Sequence, residues 1–340
     1  MRIGLSTDWH ICQFSSLVRG MGEKHSVRLE HLIDSINWAE RVFEEKDCYA
    51  HICLGDAFDK PDLNAAEISA LNDIEWGNLL HYFIVGNHEM ASSDLRTNSA
   101  NLFDLLPNCT VIANPTMLFG NIFALPYVLE KNRKPLKEYL VNFGRPRVIL
   151  SHNDIAGMQM GQFISKEGFS VDEIEESCDL FLNGHLHNMG QFAKNGWNIG
   201  NLCGQNFSED AFNYQHLVWV LDTDNGSIET FENPYALNFY KLSFTDENEE
   251  QIRWAIGSLK NNAVLTVRCK QGKHDLIKKI VSERSDIIES RFILDYDTEV
   301  CQQDISQTLT VDHLAQFEKY VKEHIGYTDL IAGELKEVLK

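Results

Sequence analysis

The chain has little proline and no stretch of about 18 uncharged apolar residues. Seven prolines in 340 residues argue against extended disorder, and the lack of a long apolar run argues against a membrane-spanning helix. The eight cysteines (Cys12, Cys48, Cys53, Cys109, Cys178, Cys203, Cys269 and Cys301) include no C-x-x-C pair. That spacing speaks against a cysteine-built zinc site or a disulfide framework. Several lie in apolar runs, as Cys53 does in His51-Ile52-Cys53-Leu54, where cysteine acts as a small hydrophobe. Positive charge is also scarce. With 30 Lys+Arg against 50 Asp+Glu the formal charge is −20, so the basic field usual in a nucleic-acid binder is missing. Of that deficit, −16 falls in the first 240 residues and −4 in the last 100. The start, MRIGLSTDWH, runs directly into a strand pattern with no apolar core behind a basic end. The expected location is the cytoplasm, with no membrane partner.

What is present is enough apolar residue, 44% of the chain, for one large domain and a smaller one. Over the first 200 residues short apolar runs alternate with helical patterns, the mark of an α/β fold with crossover helices. Strands are expected at Ile3–Thr7, His51–Leu54, Tyr82–Val85, Val111–Ala113, Ile122–Leu125, Val148–Ser151 and Asp179–Leu182. A helix is expected over Ser26–Glu45, where Leu29, Leu32, Ile33, Ile36, Ala39, Val42 and Phe43 recur at three-to-four spacing. Further helices are expected over Asn64–Leu80 and Arg96–Leu106. Leu217–Leu221 and Ile228–Phe231, around the turn Asp224-Asn225-Gly226, suggest a second sheet completing this domain. From about residue 236 to 300, strands at Tyr240–Phe244, Ala263–Arg268 and Ile287–Leu294 and helices near Glu249–Leu259 and His274–Arg284 read as a small α+β unit. Residues 301–340, with Leu314, Phe317, Val321, Leu330, Leu335 and Val338, read as amphipathic C-terminal helices. The expected domains are thus 1–235, 236–300 and 301–340.

Five short clusters carry chemistry: Asp8-Trp9-His10, Gly55-Asp56, Gly86-Asn87-His88-Glu89, Ser151-His152, and Gly184-His185-Leu186-His187. Each follows an expected strand, and in open α/β sheets ligand groups gather at the carboxyl ends of strands. Each alone has a bland reading: Gly55-Asp56 as a turn, His152 as a hydrogen-bonded core residue. Together, carboxylate, amide and imidazole donors in this order suit borderline divalent metals such as Mn²⁺, Fe²⁺ or Zn²⁺. Two such ions with one shared carboxylate can bind a phosphoryl group and activate water. The other histidines, among them His51 and His81, lack a ligand-type neighbourhood in sequence and read as ordinary core or surface residues, with a lesser reading of His51 and His81 as floor of the site. Trp9 reads as packing beneath the site rather than stacking on a nucleotide. The acidic run at 172–176 reads as a solvated helix face.

D-x-H, GD, GNHE, H and GHLH in this order resemble the calcineurin-like metallophosphoesterases over residues 1 to about 230. The resemblance implies a two-sheet α/β/β/α sandwich and two divalent metals, with Mn²⁺ expected and Fe²⁺, Zn²⁺ or Mg²⁺ as alternatives. It implies one metal held by Asp8, His10, Asp56 and His187, and a second by Asp56, Asn87, His152 and His185, with Asp56 bridging. A bridging hydroxide would be the nucleophile. His88 would stand beside the scissile phosphate, stabilising charge or protonating the leaving oxygen, and Glu89 would orient His88 by a hydrogen bond.

Gly55-Asp56-Ala57-Phe58-Asp59 and Ala124-Leu125-Pro126-Tyr127 further resemble SbcD, the nuclease half of the SbcC–SbcD complex, and related phage recombination nucleases. That likeness implies a DNA substrate, a DNA-capping role for the unit at 236–300, an SbcC-type ATPase docking on the terminal helices, and dimerisation through the helices at Ser26–Glu45 or Asn64–Leu80. The sequence departs at Glu89, where GNHD is common, at Cys12, where glycine often follows D-x-H, and at Asp59, where archaeal and eukaryotic relatives often carry histidine. The Asp59 departure puts a direct substrate role for that position in doubt. The rival is a phosphoprotein phosphatase or small-molecule phosphodiesterase of the same superfamily. Phosphatases usually carry arginines after the second-motif aspartate and before GNHE, to grip a dianion; here those places hold Lys60 and Val85. A non-catalytic scaffold would lack ligands, and all are present.

Overall fold

The computed structural model describes residues 1–13, 16–160 and 163–295. The terminal helices expected over 301–340, and with them the ATPase-docking segment, lie outside the described residues. The chain runs β1 (Arg2–Ser6), α1 (Val27–Glu45), β2 (Ala50–Cys53), α2 (Ala65–Ala70), β3 (Leu80–Ile84), β4 (Cys109–Ile112), β5 (Thr116–Met117), β6 (Ile122–Leu125), α3 (Leu136–Tyr139) and β7 (Val148–Ser151). It continues through β8 (Gln159–Met160), β9 (Phe163–Ile164), α4 (Val171–Ser177), β10 (Leu180–Asn183), β11 (Gly190–Ala193), β12 (Gly196–Asn198), β13 (Leu217–Asp222) and β14 (Ile228–Glu232). The last described elements are β15 (Asn238–Phe244), α5 (Glu249–Gly257), β16 (Ala263–Lys270), α6 (His274–Ser282) and β17 (Ile287–Asp295).

Two six-stranded sheets face each other, ordered β14-β13-β1-β2-β3-β4 and β11-β12-β10-β7-β6-β5. Ile3, Leu5, Ile52 and Trp219 of the first interleave with Ile122, Ala124, Leu150 and Leu182 of the second. The outer face of the first sheet packs on α1 through Leu29, Ile36, Phe43 and Phe83; that of the second packs on α3 and α4 through Leu136, Ile149, Ile174 and Phe181. This is the expected α/β/β/α sandwich. Its strand patterns follow from burial on both faces. In β1 the apolar side chains point between the sheets, while Gly4 lets α1 close in: a Cβ there would lie 2.4 Å from the Phe43 ring.

Three expectations are corrected. The hairpin β13–β14 does not belong to the second sheet; it extends the first, with β13 antiparallel to β1. Both faces of β13 are buried, Val218 and Val220 toward the helices and Leu217 and Leu221 between the sheets, which suits an interior strand. The helix expected over Asn64–Leu80 ends at Ala70 and passes through a 3₁₀ turn, Leu71–Asp73. There Asn37 on α1 accepts from the amide of Glu75 and donates to the carbonyl of Asp73, drawing the backbone out of helical pairing so that Leu80 begins a strand. Likewise, Arg96–Leu106 is a 3₁₀ segment, Ser99–Leu105, that starts late because the Asn98 side chain caps it.

Beyond Pro234, β15, β16 and β17 form a wholly parallel sheet with α5 and α6 as its crossovers. The unit is therefore a βαβαβ fold rather than the α+β type expected, since each helix intervenes between neighbouring strands. The helices pack on one face through Leu242, Leu265, Ile252 and Ile277. The other face meets the sandwich through Phe239, Val264, Leu32 and Cys203.

Candidate metal centre

All five clusters lie at the carboxyl ends of parallel strands: Asp8 and His10 after β1, Asp56 after β2, Asn87, His88 and Glu89 after β3, His152 after β7, and His185 and His187 after β10. The loops turn sharply. Asp8, His10, Asp56 and His185 have φ of 52°, 49°, 50° and 74°, left-handed conformations costly for residues with a Cβ and typical of functional sites. Two glycines permit the convergence. A Cβ on Gly86 would lie 2.2 Å from Asp56 Oδ1, and one on Gly184 would lie 2.2 Å from Thr7 Oγ1 and 2.9 Å from His152 Nδ1.

The donor groups at the strand ends include Asp8 with His10 and His187, and Asp56 with His152 and His185; His10, Asp56 and His88 form a further group that overlaps both. In the first, His10 Nε2 and His187 Nε2 face each other at 3.1 Å, and His10 Nε2 lies 3.7 Å from Asp8 Oδ1 and 3.9 Å from Asp56 Oδ2. In the second, His152 Nε2 is 3.1 Å from Asp56 Oδ2 and His185 Nδ1 is 2.8 Å from Asn87 Oδ1. Asp56 touches both groups. Each carboxylate has one oxygen tied to the frame. Asp8 Oδ2 accepts from Thr7 Oγ1 at 2.7 Å and the His185 amide at 3.0 Å, and Asp56 Oδ1 accepts from the His88 amide at 2.9 Å. The opposite atoms, Asp8 Oδ1 and His152 Nε2, are buried without a hydrogen-bond partner. Buried polar atoms left unmatched and converging in this way fit a cation.

On three rings the second nitrogen is also hydrogen-bonded, as in metal sites generally. His152 Nδ1 donates to the Leu54 carbonyl at 2.8 Å. His185 Nε2 is 2.9 Å from Asp154 Oδ1, and His187 Nδ1 is 2.6 Å from Glu209 Oε1. His10 Nδ1 lies 3.2 Å from Asp59 Oδ1. Asp154 and Glu209 were not anticipated from sequence, because their partners are distant in the chain and carboxylates are abundant in it. Glu209 is fully held: its other oxygen accepts from Asn201 and from the Gln205 amide. Burial alone raises its pKa, but the bond to His187 and that ring's charge outweigh this and lower it. Glu209→Gln removes the charge while keeping the size. It is expected to weaken metal activation about 10- to 100-fold, read as a rightward shift of the Mn²⁺ activation curve with maximal turnover changed less.

Electrostatics bind the cluster to itself. Burial raises Asp8, but the His10 hydrogen bond and the charges of His152 and His187 bring it down to about 2. Asp56, opposed by burial in the same way, is held well below the usual carboxylate range by His152 and His10. Burial lowers His10 and His152, yet the hydrogen bonds of Asp59 and Asp8 lift His10 to about 10 and the charge of Asp56 lifts His152 to about 9. A metal ion bound there would take the place of the proton on each ring.

Glu89 does not orient His88. Its carboxylate is consumed by four backbone amides, those of Gly86 at 2.7 Å, Ala57 at 2.6 Å, Phe58 at 3.2 Å and Asp56 at 3.3 Å. It locks the second and third loops together. Burial and then the Asp56 charge push it up to about 7, against the pull of those amides. His88 is oriented instead by Asp59, whose carbonyl accepts from His88 Nδ1 at 2.9 Å. That leaves Nε2 without a protein partner among the described residues, beside a cavity of about 390 Å³ that His88, His10 and His187 line. Trp9 packs beneath, fully buried against Phe83 and Phe103. Its indole N–H donates to Ser6 Oγ at 2.9 Å, and Ser6 Oγ is 2.7 Å from His51 Nε2. His51 and His81 are not isolated: both close on Glu40 of α1, at 2.6 Å and 2.9 Å.

The profile of the calcineurin-like phosphoesterase family matches residues 1–219. No curated protein sequence matches the chain. Among solved structures the chain is similar to TT1561 of Thermus thermophilus, with a TM-score of 0.41 and 13% identity, over 68% of this chain and 98% of that one. Among the described residues no helix is long and apolar enough to cross a membrane. The family match spans most of the chain and includes every strand-end loop of the centre, so the protein belongs to the calcineurin-like phosphoesterase family and is a metal-dependent phosphoester hydrolase.

Proposed function

We propose that the protein is the nuclease subunit of a DNA repair or recombination complex, cutting phosphodiester bonds and acting with an SbcC-type ATPase. The ligand assignment is the one the family resemblance implies: Asp8, His10, Asp56 and His187 for one metal, and Asp56, Asn87, His152 and His185 for the other. When bound, two divalent cations such as Mn²⁺ supply positive charge for the phosphoryl oxygens and an activated water. The chain's own contribution is positional. Asp56 would be shared between the metals, Glu89 holds the two loops that carry Asp56 and Asn87, and His88 would present Nε2 to the leaving oxygen as charge stabiliser or proton donor.

The observation that carries the diester reading is the state of the two positions where phosphatases grip a dianion. Lys60 is engaged by buried Glu67 at 3.1 Å, and Val85 is fully buried. Neither offers a free cation to a monoester, while a diester, with one charge fewer, needs less of one. The net charge of −20 favours a partner that brings basic surface to the DNA. The SbcD-like stretches at 55–59 and 124–127 support the same reading.

The test is Mn²⁺-dependent cleavage of labelled linear double- and single-stranded DNA beside p-nitrophenyl phosphate and its bis-ester. DNA degradation with little monoester turnover is the expected result. His88→Ala should lower kcat about 10²- to 10⁴-fold while metal content stays unchanged. Rapid monoester hydrolysis with intact DNA would sink the nuclease reading.

A further inference from the structure

The cavity beside the metal centre has a second wall that the proposed chemistry does not use. Opposite His10, His88 and His187 stand Arg28, Gln205 and Cys12. Arg28 enters from the first turn of α1 and is only 3% exposed. Its Nε donates to Cys12 Sγ at 3.3 Å and its Nη2 donates to Gln205 Oε1, while Nη1 has no partner among the described residues. Neither partner is a carboxylate. No carboxylate lies within ion-pair distance of Arg28 among the described residues; Asp59, on the same cavity, feels the guanidinium charge but is engaged with His10. A buried cation without a direct ion pair is costly in a chain that carries an excess of carboxylates to pair with it.

We propose that Arg28 is an anion-binding residue that takes a phosphate flanking the scissile one, so that the site recognises a polynucleotide backbone rather than an isolated ester. The inference rests on the diesterase reading and names what that site grips. Gln205 and Cys12 hold Nη2 and Nε, and Nη1, buried and without a partner among the described residues, is the group whose hydrogen bond a phosphate oxygen would complete; planar, always-charged arginine suits that contact. The cavity, at about 390 Å³, is in the range that accommodates a ligand larger than one phosphate group. The signal was absent from sequence because Arg28 lies in a helix, 16 residues beyond Cys12 and 177 before Gln205.

The experiment compares 5′-phosphorylated tetrathymidylate with bis-p-nitrophenyl phosphate, which has no flanking phosphate, on Mn²⁺-loaded protein. Arg28→Met keeps the stem and removes the charge. It is expected to raise KM for the oligonucleotide about 10- to 100-fold, with kcat and bis-ester turnover within about threefold of wild type. An equal loss on both substrates, or no change on either, overturns the proposal, because a purely structural role moves both together. Faster loss of p-nitrophenyl phosphate turnover than of oligonucleotide cleavage overturns it as well, placing Arg28 on the reacting phosphate. Arg28→Lys, which keeps the charge but not the fork, guards against misfolding of the methionine variant. Its KM ratio between the two substrates should fall between the others, and an unchanged ratio counts against the proposal. Wild-type protein that hydrolyses the esters but not the oligonucleotide sinks the nuclease reading and this inference together, whereas oligonucleotide cleavage indifferent to Arg28 sinks the inference alone.

Discussion

Asp56→Asn is expected to reduce phosphoester hydrolysis on the order of a thousand-fold or more, with the bound metal falling below two ions per chain. Asp56 reaches toward both donor groups, 3.1 Å from His152 Nε2 and 3.9 Å from His10 Nε2. An amide of the same shape can keep Oδ1 on the His88 amide, so the loop should survive while the charge shared by the two ions is lost. The folded metal-free protein should therefore remain, with an unaltered circular dichroism spectrum. Metal analysis and turnover, measured on the same preparation, decide the matter. A variant that retains two ions and near-normal turnover would remove Asp56 from its bridging place.

The second large effect is on stability. Glu40→Ala is expected to destabilise the fold by about 3–5 kcal/mol, the usual cost of breaking a buried charged group away from its partners. Glu40 reaches His51 at 2.6 Å and His81 at 2.9 Å from the middle of α1, and all three side chains are buried. Removing it leaves two imidazoles facing a void. Burial raises the Glu40 carboxyl, but the two histidines hold it at about 2, below its unfolded value of 4.5. Such a group stabilises fully above the unfolded value, and the contribution disappears as pH falls from about 4.5 toward 2. His51 acts in the same direction. Burial lowers its pKa, so the folded chain resists its protonation and stability declines as pH drops below about 6.5. Wild-type melting temperatures should thus fall on acidification through both windows. The alanine variant should melt roughly 10 °C lower near neutrality and lose the part of the slope that lies below 4.5. Equal pH profiles for the two proteins would show that Glu40 carries no such charge.

Much of the architecture could be read in advance because the strands are short apolar runs with polar ends. β6 and β7 begin and end where the residues predict, and the loops bearing Asp8, Asp56, Asn87, His152 and His185 stand where an α/β sheet presents ligands. What escaped has a physical pattern. Asp154, Glu209, Arg28 and Glu40 all act on partners from other elements, and nothing local distinguishes them from surface charges. Glu89 was placed in the right loop but given the wrong partner. Its reach toward His88 is stereochemically ordinary, yet four unsatisfied amides at the ends of β2 and β3 compete for it and win. Alternation also could not say which sheet β13 joins, since a strand buried on both faces has no polar side to orient it.

The donors divide between the two sheets: Asp8, His10, Asp56 and Asn87 come from loops of the first, His152, His185 and His187 from loops of the second. A pair of ions seated there would act as a rivet through that end of the sandwich, reinforcing the hydrogen bonds from Tyr127 to Val85 and from Leu202 to Thr7 that already tie the two slabs. Metal retention then becomes a gauge of how the slabs are aligned. A packing change at Leu150 or Leu182, well inside the seam, would be felt as a change in the ions' residence time before any donor was touched.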